Sequence, residues 1–490
     1  MKVAFRVTLI VLSALAACSP VHERKPVAPD HDFDRLQKIV RGVQRGKVPS
    51  EASNDRATNL LALGLRERTH WQFRKSGKIL RQCTSLETDT SSYSSTVHLL
   101  CLAALAGNQY TQGHYHQWAG EILHWMKEVA LATSRLSPSK SAMLRQQLAK
   151  AVDRPLADFD GYLKNLRTMA QIMQQLPAFS APGSTSKQTI KLETYPATKY
   201  QFVAKGIRNG HKTKQKYRWT ITFDPDFPAI RVKCGGTKFL MSLDSGSSLT
   251  TLSEKTAKRL GVRATPAPMA LAALKGGYAR VQIGVIPKLE IGEFTFRNLP
   301  VAVVGGPPAI GDSIGLTTLL QLGSVALDHA RQTMTVFPAV MNTPRAGMSM
   351  RLTSKLVGND PRIVFIAHHQ GTALNIQIDT GNSGKPVGHA ALLDAIPGLI
   401  DGIPLHKEDT FATQVNVGPK SVATIPEFSL VAGPWHSRIK DLTVFPEHSI
   451  PGHVAISTSE RDFLREGAIL SLDFRRGTMA ITTPERQPGG

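Results

Sequence analysis

The sequence predicts a multidomain chain in which an N-terminal all-α helical array precedes two all-β lobes built from one duplicated unit. Three observations predict it. Apolar residues between 31 and 176 recur at the helical period. After a Pro-, Ser- and Gly-rich stretch, PAFSAPGSTSKQ at 177–188, the texture changes to short β-branched runs broken by Gly and Pro. Within that second part, two segments repeat each other: Thr237–Asp244 (TKFLMSLD) and Thr372–Asp379 (TALNIQID) near the start, and Ser324–Pro338 and Leu470–Pro484 near the end. The acids lie 135 residues apart (379 − 244), and the closing Leu-Asp pairs, at Asp328 and Asp473, lie 145 apart (473 − 328). A period this long describes small domains with their own cores, not solenoid repeats.

In chain order, residues 1–17 read first as an export signal. Lys2 and Arg6 supply the charge, Val7–Leu15 the apolar stretch, and Leu15-Ala16-Ala17-Cys18 the small-residue cleavage site. This resembles a bacterial lipoprotein signal. The resemblance implies a lipidated Cys18, an 18–30 tether, and, with Ser19 following, an outer-membrane lipoprotein facing the periplasm. No later stretch approaches the ~20 apolar residues of a membrane span.

The array, 31–176, reads as helices near 33–43, 55–68, 94–106, 116–134, 140–152 and 156–173. It is similar to tetratricopeptide-type domains and carries no evident catalytic set, so it is expected to hold an envelope protein partner. Cys83 and Cys101 end short apolar segments and either bridge adjacent helices or remain reduced and buried; Cys234 is then a free thiol. Neither these nor His114, His116 and His124 have the spacing of a metal site. No metal or other cofactor is expected.

Residues 177–194 read as a linker, 195–340 as the first lobe, and 345–486 as the second, joined through AVMNTPRAGMS at 339–349. With 59 Lys+Arg against 37 Asp+Glu, the formal charge of +22 favours polyanions. For an exported chain these are anionic lipid or surface polymer, not nucleic acid. The densest basic run, Lys199 to Arg218, has a strand-like alternation and reads as a solvated face or a docking patch.

The chemistry rests on Asp244-Ser245-Gly246-Ser247 and Asp379-Thr380-Gly381-Asn382. Each follows a strand, a glycine turn and a second strand, so each acid sits on a loop at a strand end. Two carboxylates brought to about 3 Å cannot both ionise and share a proton, so one activates a water while the other polarises a carbonyl. Ser245 and Thr380 can lock the loops by hydrogen bonds, Gly246 and Gly381 admit backbone N–H groups, and Ser247 and Asn382 can donate to the outer carboxylate oxygens. The hairpin tip Gly276-Gly277-Tyr278 is the candidate flap over substrate, with a second near 407–424.

With Leu249-Thr250-Thr251-Leu252-Ser253, Lys258-Arg259-Leu260-Gly261-Val262, and Ser313-Ile314-Gly315-Leu316 ahead of Gly323 to Asp328, the first unit resembles a bacterial retropepsin-like aspartic peptidase. The resemblance implies a tandem, bilobal acid-protease fold over roughly 195–486, with Asp244 and Asp379 in the catalytic positions. In the second unit the apolar-apolar-Gly element is expected near Val454-Ala455, with about five extra residues before the Leu-Asp pair. The expected function is a cell-envelope aspartic endopeptidase acting on periplasmic proteins or peptides. The alternative is a non-catalytic envelope scaffold that uses the array and the basic surface to bind a partner or the cell wall.

Overall fold

The structure is a computed structural model. It describes residues 36–38, 40, 42, 55–86, 92–152, 154–181, 187–194, 199–208, 211–222, 228–272, 278–305, 312–328, 330–337, 348–382, 386–412, 415–433, 435–447, 453–459 and 468–482. A helical region precedes a β-rich region.

The array includes the helices α1 (Arg56–Thr69), α2 (Phe73–Thr84), α3 (Ser92–Thr111), α4 (Tyr115–Arg135), α5 (Pro138–Ala151) and α6 (Phe159–Gln175). Asp55 caps α1, its carboxylate accepting from the Ala57 and Thr58 N–H groups at 3.2 and 2.9 Å. Pro138 opens α5, where its missing N–H costs nothing. Helix α3 is apolar nearly all round and runs through the array's centre, with Val97, Leu99, Leu100, Ala103 and Ala106 buried. Its own Tyr110 packs with Trp118, and Trp125 and Phe159 are buried beside them in the same core. Leu36 and Val40, from the first expected helix, join this core. Helix α2 lies between the helix ranges read from the sequence, where only the apolar segment ending at Cys83 points to a helix; it buries a stripe of Ser76, Gly77, Leu80 and Cys83. No described helix is long and apolar enough to cross a membrane.

The first β unit comprises β1 (Gln188–Thr194), β2 (Lys199–Arg208), β3 (His211–Thr222), β4 (Pro228–Cys234), β5 (Thr237–Asp244), β6 (Thr250–Ser253), α7 (Glu254–Arg259), β7 (Ala264–Ala272), β8 (Tyr278–Ile291), β9 (Phe294–Val304), β10 (Ser313–Gly315), α8 (Leu316–Gln321), β11 (Ser324–Asp328) and β12 (Thr333–Phe337). The second contains β13 (Met348–Thr353), β14 (Arg362–His369), β15 (Thr372–Ile378), β16 (Val387–Gly388), α9 (Ala390–Ala395), β17 (His406–Ala412), β18 (Val415–Ala432), β19 (Trp435–Val444), β20 (Val454–Thr458), β21 (Ile469–Asp473) and β22 (Thr478–Thr482). The segment that reads as a linker is therefore shorter than expected: β1 pairs with both β12 and β4 and belongs to the first unit. Among the described residues, the strands of the basic run, β2 and β3, pair only with each other.

The hydrogen-bond registers of the two units correspond. In β4–β5, Ala229 faces Ser242; in β14–β15, Val364 faces Gln377, the same pairing displaced by 135 (364 − 229; 377 − 242). Both hairpins turn through two residues of positive φ, Gly235-Gly236 and Gln370-Gly371, the geometry that suits a two-residue turn between twisted strands. Each acid-bearing strand then accepts a later strand in parallel: β5 takes β10, and β15 takes β20. The two units are stitched into one sheet, β1-β12-β11-β21-β22-β13. At its centre Ser324 faces Asp473 while Asp328 faces Ile469. Because 324 and 328 correspond to 469 and 473, each unit presents the same strand to the other, the signature of two-fold pairing.

Candidate active site

The alternation of β5 buries Phe239, Met241 and Leu243, and that of β15 buries Leu374, Ile376 and Ile378, so both strands are anchored up to their last residues. The chain then leaves each sheet at Asp244 and Asp379. Asp379 is 2% exposed, whereas Asp244 keeps part of its surface accessible.

The two turns grip each other reciprocally. The Ser245 hydroxyl donates to Ile378 O at 2.8 Å and accepts from Thr380 N–H at 3.0 Å. The Thr380 hydroxyl donates to Leu243 O at 2.9 Å and accepts from Ser245 N–H at 2.9 Å. Both side chains are buried, and each hydroxyl satisfies one carbonyl and one N–H that would otherwise be orphaned.

The glycines have a reason beyond backbone freedom. The atoms nearest to where a Cβ would stand on Gly246 are the carboxylate of Asp379, and those nearest the equivalent point on Gly381 are the carboxylate of Asp244. Each acid thus lies over the other unit's turn, at a distance that any side chain there would abolish. Within its own turn, Asp379 Oδ1 accepts from Gly381 N–H at 3.0 Å.

Burial is the largest influence on Asp244 and pushes its pKa up; the Arg362 charge and the N–H groups of Gly246 and Ser247 pull the other way without cancelling it. Arg362, at the start of β14, is 9% exposed. Its Nη1 donates to Gly246 O and its Nη2 contacts Asp360 Oδ1 at 2.5 Å. No repeat signal points to this residue, because the corresponding position of the first unit (362 − 135 = 227) is Phe227.

The expectation for Ser247 needs correction. Its hydroxyl donates to Leu249 O at 2.9 Å, closing the turn, and it is the backbone N–H that acts on Asp244. The second unit's apolar-apolar-Gly element also lies elsewhere than expected. Ser313-Ile314-Gly315 faces Ser242-Leu243-Asp244, and the residues in register with Gln377 and Ile378 are Ser457 and Thr458, not Val454-Ala455. The spacing to the Leu-Asp pair is then 16 residues (473 − 457) against 15 (328 − 313), so the five extra residues reduce to one. Polar Thr458 stands where Ile314 does, which is why the apolar pattern points elsewhere.

Strands β7 and β8 form a hairpin whose last described pair is Ala272 and Tyr278; Gly276 and Gly277 lie outside the described residues, as does Cys18. Strands β17 and β18 form the second hairpin, closing at Ala412 and Val415. Away from the site, Cys83 and Cys101 are disulfide-bonded between α2 and α3, and Cys234 is free and buried. Among the described residues, no group of His, Cys, Asp and Glu is arranged to hold a metal ion.

Residues 230–318, from β4 into α8, match the family described as aspartyl protease. No curated protein matches the chain. Among solved structures, a retropepsin-like aspartic protease from Rickettsia conorii is similar at 15% identity over 29% of this chain and 95% of its own, with a TM-score of 0.17.

Proposed function

We propose that this chain is an aspartic endopeptidase whose two β units form the lobes of a bilobal acid-protease fold, with Asp244 and Asp379 as its catalytic pair. The observation that carries this is the reciprocal grip of Ser245 and Thr380, which sets each carboxylate over the opposite glycine. A scaffold has little use for two carboxylates held at a unit interface, where charge is costly to bury. The match of 230–318 to the aspartyl protease family supports the same reading.

In the reaction, the protonated acid of the Asp244–Asp379 pair donates its proton to the scissile carbonyl oxygen, while the ionised one takes a proton from a water lying between them, and that water's oxygen attacks the carbonyl carbon. The resulting gem-diol collapses as the acid that took the water's proton passes it to the amide nitrogen and the other acid takes one hydroxyl proton back, so the C–N bond breaks to give a carboxylic acid and an amine and the pair returns to its starting state. The hairpins β7–β8 and β17–β18 cover substrate and exclude bulk water.

The remaining parts of the proposal rest on sequence. The lipoprotein-like signal supports anchoring through Cys18 at the outer membrane, facing periplasmic proteins or peptides, and the array supports engagement of an envelope protein partner. The test is to incubate purified mature protein with envelope extract and map new protein termini against Asp244→Ala and Asp379→Ala. Fragments formed only by the wild type support the peptidase. Identical fragments from all three proteins reject it.

A further inference from the structure

The helical array does not merely adjoin the β units; it reaches the turn that carries Asp244 by two separate routes. On the first, the Tyr115 hydroxyl at the start of α4 donates to Thr317 Oγ1 at 2.8 Å. Thr317 Oγ1 in turn donates to Ser248 O at 2.7 Å, and the Thr317 and Leu316 N–H groups reach Ser248 O and Ser247 O at 3.2 and 2.7 Å. Leu249, the next residue, packs into the array's own apolar core.

The second route starts on α1, α3 and α4. Trp118 Nε1 donates to Val357 O at 3.0 Å and Arg68 Nη1 to Leu356 O at 3.0 Å, while the Leu356 and Val357 side chains are buried in the array core. Helix α3 meets this loop backbone to backbone: a Cβ on Gly107 would strike Leu356 O and Gly358 N, and one on Gly358, whose φ is +87°, would strike Gly107. A few residues on, Asp360 and Arg362 pair, and Arg362 donates to Gly246 O. A loop of the second unit, held by the array, thus delivers a buried guanidinium to the first unit's catalytic turn.

We propose that the array is a working part of the active site, with Tyr115 and Arg362 as positioning residues that hold residues 244–249 in register through Thr317 and through the Leu356–Asp360 loop. This rests on the peptidase reading for its kinetic consequence, not for its structural one. Anything that loosens the array's hold on either route, including engagement of a partner by the array, then alters the dyad without touching it.

The test uses hydrogen exchange on the full chain, read for the segments 243–250 and 354–361, with 435–444, a strand with no residue in the array core, as an internal control. The variants are Tyr115→Phe, Trp118→Phe and their combination, compared with Trp125→Phe. The last makes the same Trp-to-Phe change in the array core, at a ring whose Nε1 has no hydrogen-bond partner among the described residues. Losing one buried bond on a route is expected to raise exchange in 243–250 roughly three- to tenfold, and the double variant more, with 435–444 unchanged. On a cleaved peptide, kcat is expected to fall by a similar factor while KM stays within about twofold.

The proposal is overturned if 243–250 is unaffected, if Trp118→Phe fails to raise exchange in 354–361, or if Trp125→Phe loosens 243–250 as much as the route variants do. Because exchange needs no substrate, a wild type that cleaves nothing counts against the peptidase while the exchange result still decides this inference.

Discussion

Removing one hydroxyl from the grip between the two turns should cost far more than an ordinary side-chain hydrogen bond. Thr380→Val keeps the shape of the side chain but leaves Leu243 O and Ser245 N–H without the partners they have at 2.9 Å; Ser245→Ala does the same to Ile378 O and Thr380 N–H. Each variant therefore strands two buried backbone groups, at about 1–3 kcal/mol apiece, or about 2–6 kcal/mol in all. For domains of 150–250 residues each kcal/mol moves Tm by about 2–4 °C, so scanning calorimetry should show the β-region transition falling by roughly 5–20 °C. Since the two halves of the grip are equivalent, the two variants should fall by similar amounts. They hold one interface, so the double variant should lose less than the sum. A drop below about 1 °C in both, or a large loss in one and none in the other, is incompatible with a reciprocal grip.

Asp244→Asn should be more stable than the wild type at neutral pH. Burial raises the native pKa of Asp244, so the native state binds that proton more tightly than the unfolded chain does, and wild-type stability falls as pH rises from the ordinary carboxyl value of ~3.9 through the native pKa. Denaturation curves across pH should show the variant's advantage growing through that window, by up to ~1.4 kcal/mol for each pH unit it spans, and disappearing below it; an advantage largest at acid pH contradicts the sign. Gly246→Ala and Gly381→Ala, which place a methyl against the opposite carboxylate, should each lower kcat/KM at least about 100-fold, as misplacements near 1 Å do; near-wild-type cleavage by either variant would show that the acids do not occupy these positions during catalysis. Breaking the Cys83–Cys101 link, whose sequence separation is 18, by substituting both with Ala should cost the array about 3 kcal/mol by the loop-entropy relation, read as an earlier loss of far-UV circular dichroism in urea.

The parts of this fold that are legible in sequence are those where one local rule decides the outcome. The paired TKFLMSLD and TALNIQID segments predict two hairpins ending in an acid, and both occur in the same register. Helices with a wide apolar stripe, such as α4 and α6, are equally readable, whereas α2 is shorter and more polar than either and marks its buried face with few apolar residues. The second unit's Ser457-Thr458 is hidden from an apolar pattern because polar residues there find partners inside the fold: the Ser457 hydroxyl sits between His389 Nε2 at 3.0 Å and Gln377 Oε1 at 3.1 Å. Arg362, Thr317 and Tyr115 are not legible at all. Their importance lies in which carbonyl or hydroxyl each one meets across 69 to 202 residues of sequence, and no spacing rule encodes that.

Whether Asp244 and Asp379 behave as one unit is decided by titrating the Asp244 carboxyl carbon by NMR, in the wild type and in Asp379→Asn. Two acids sharing a proton give an Asp244 midpoint above the ordinary carboxylate range in the wild type, and one that drops clearly when Asp379→Asn removes the neighbouring negative charge. A midpoint unmoved by the loss of Asp379 would mean that no proton is shared, and the catalytic pair would have to be abandoned.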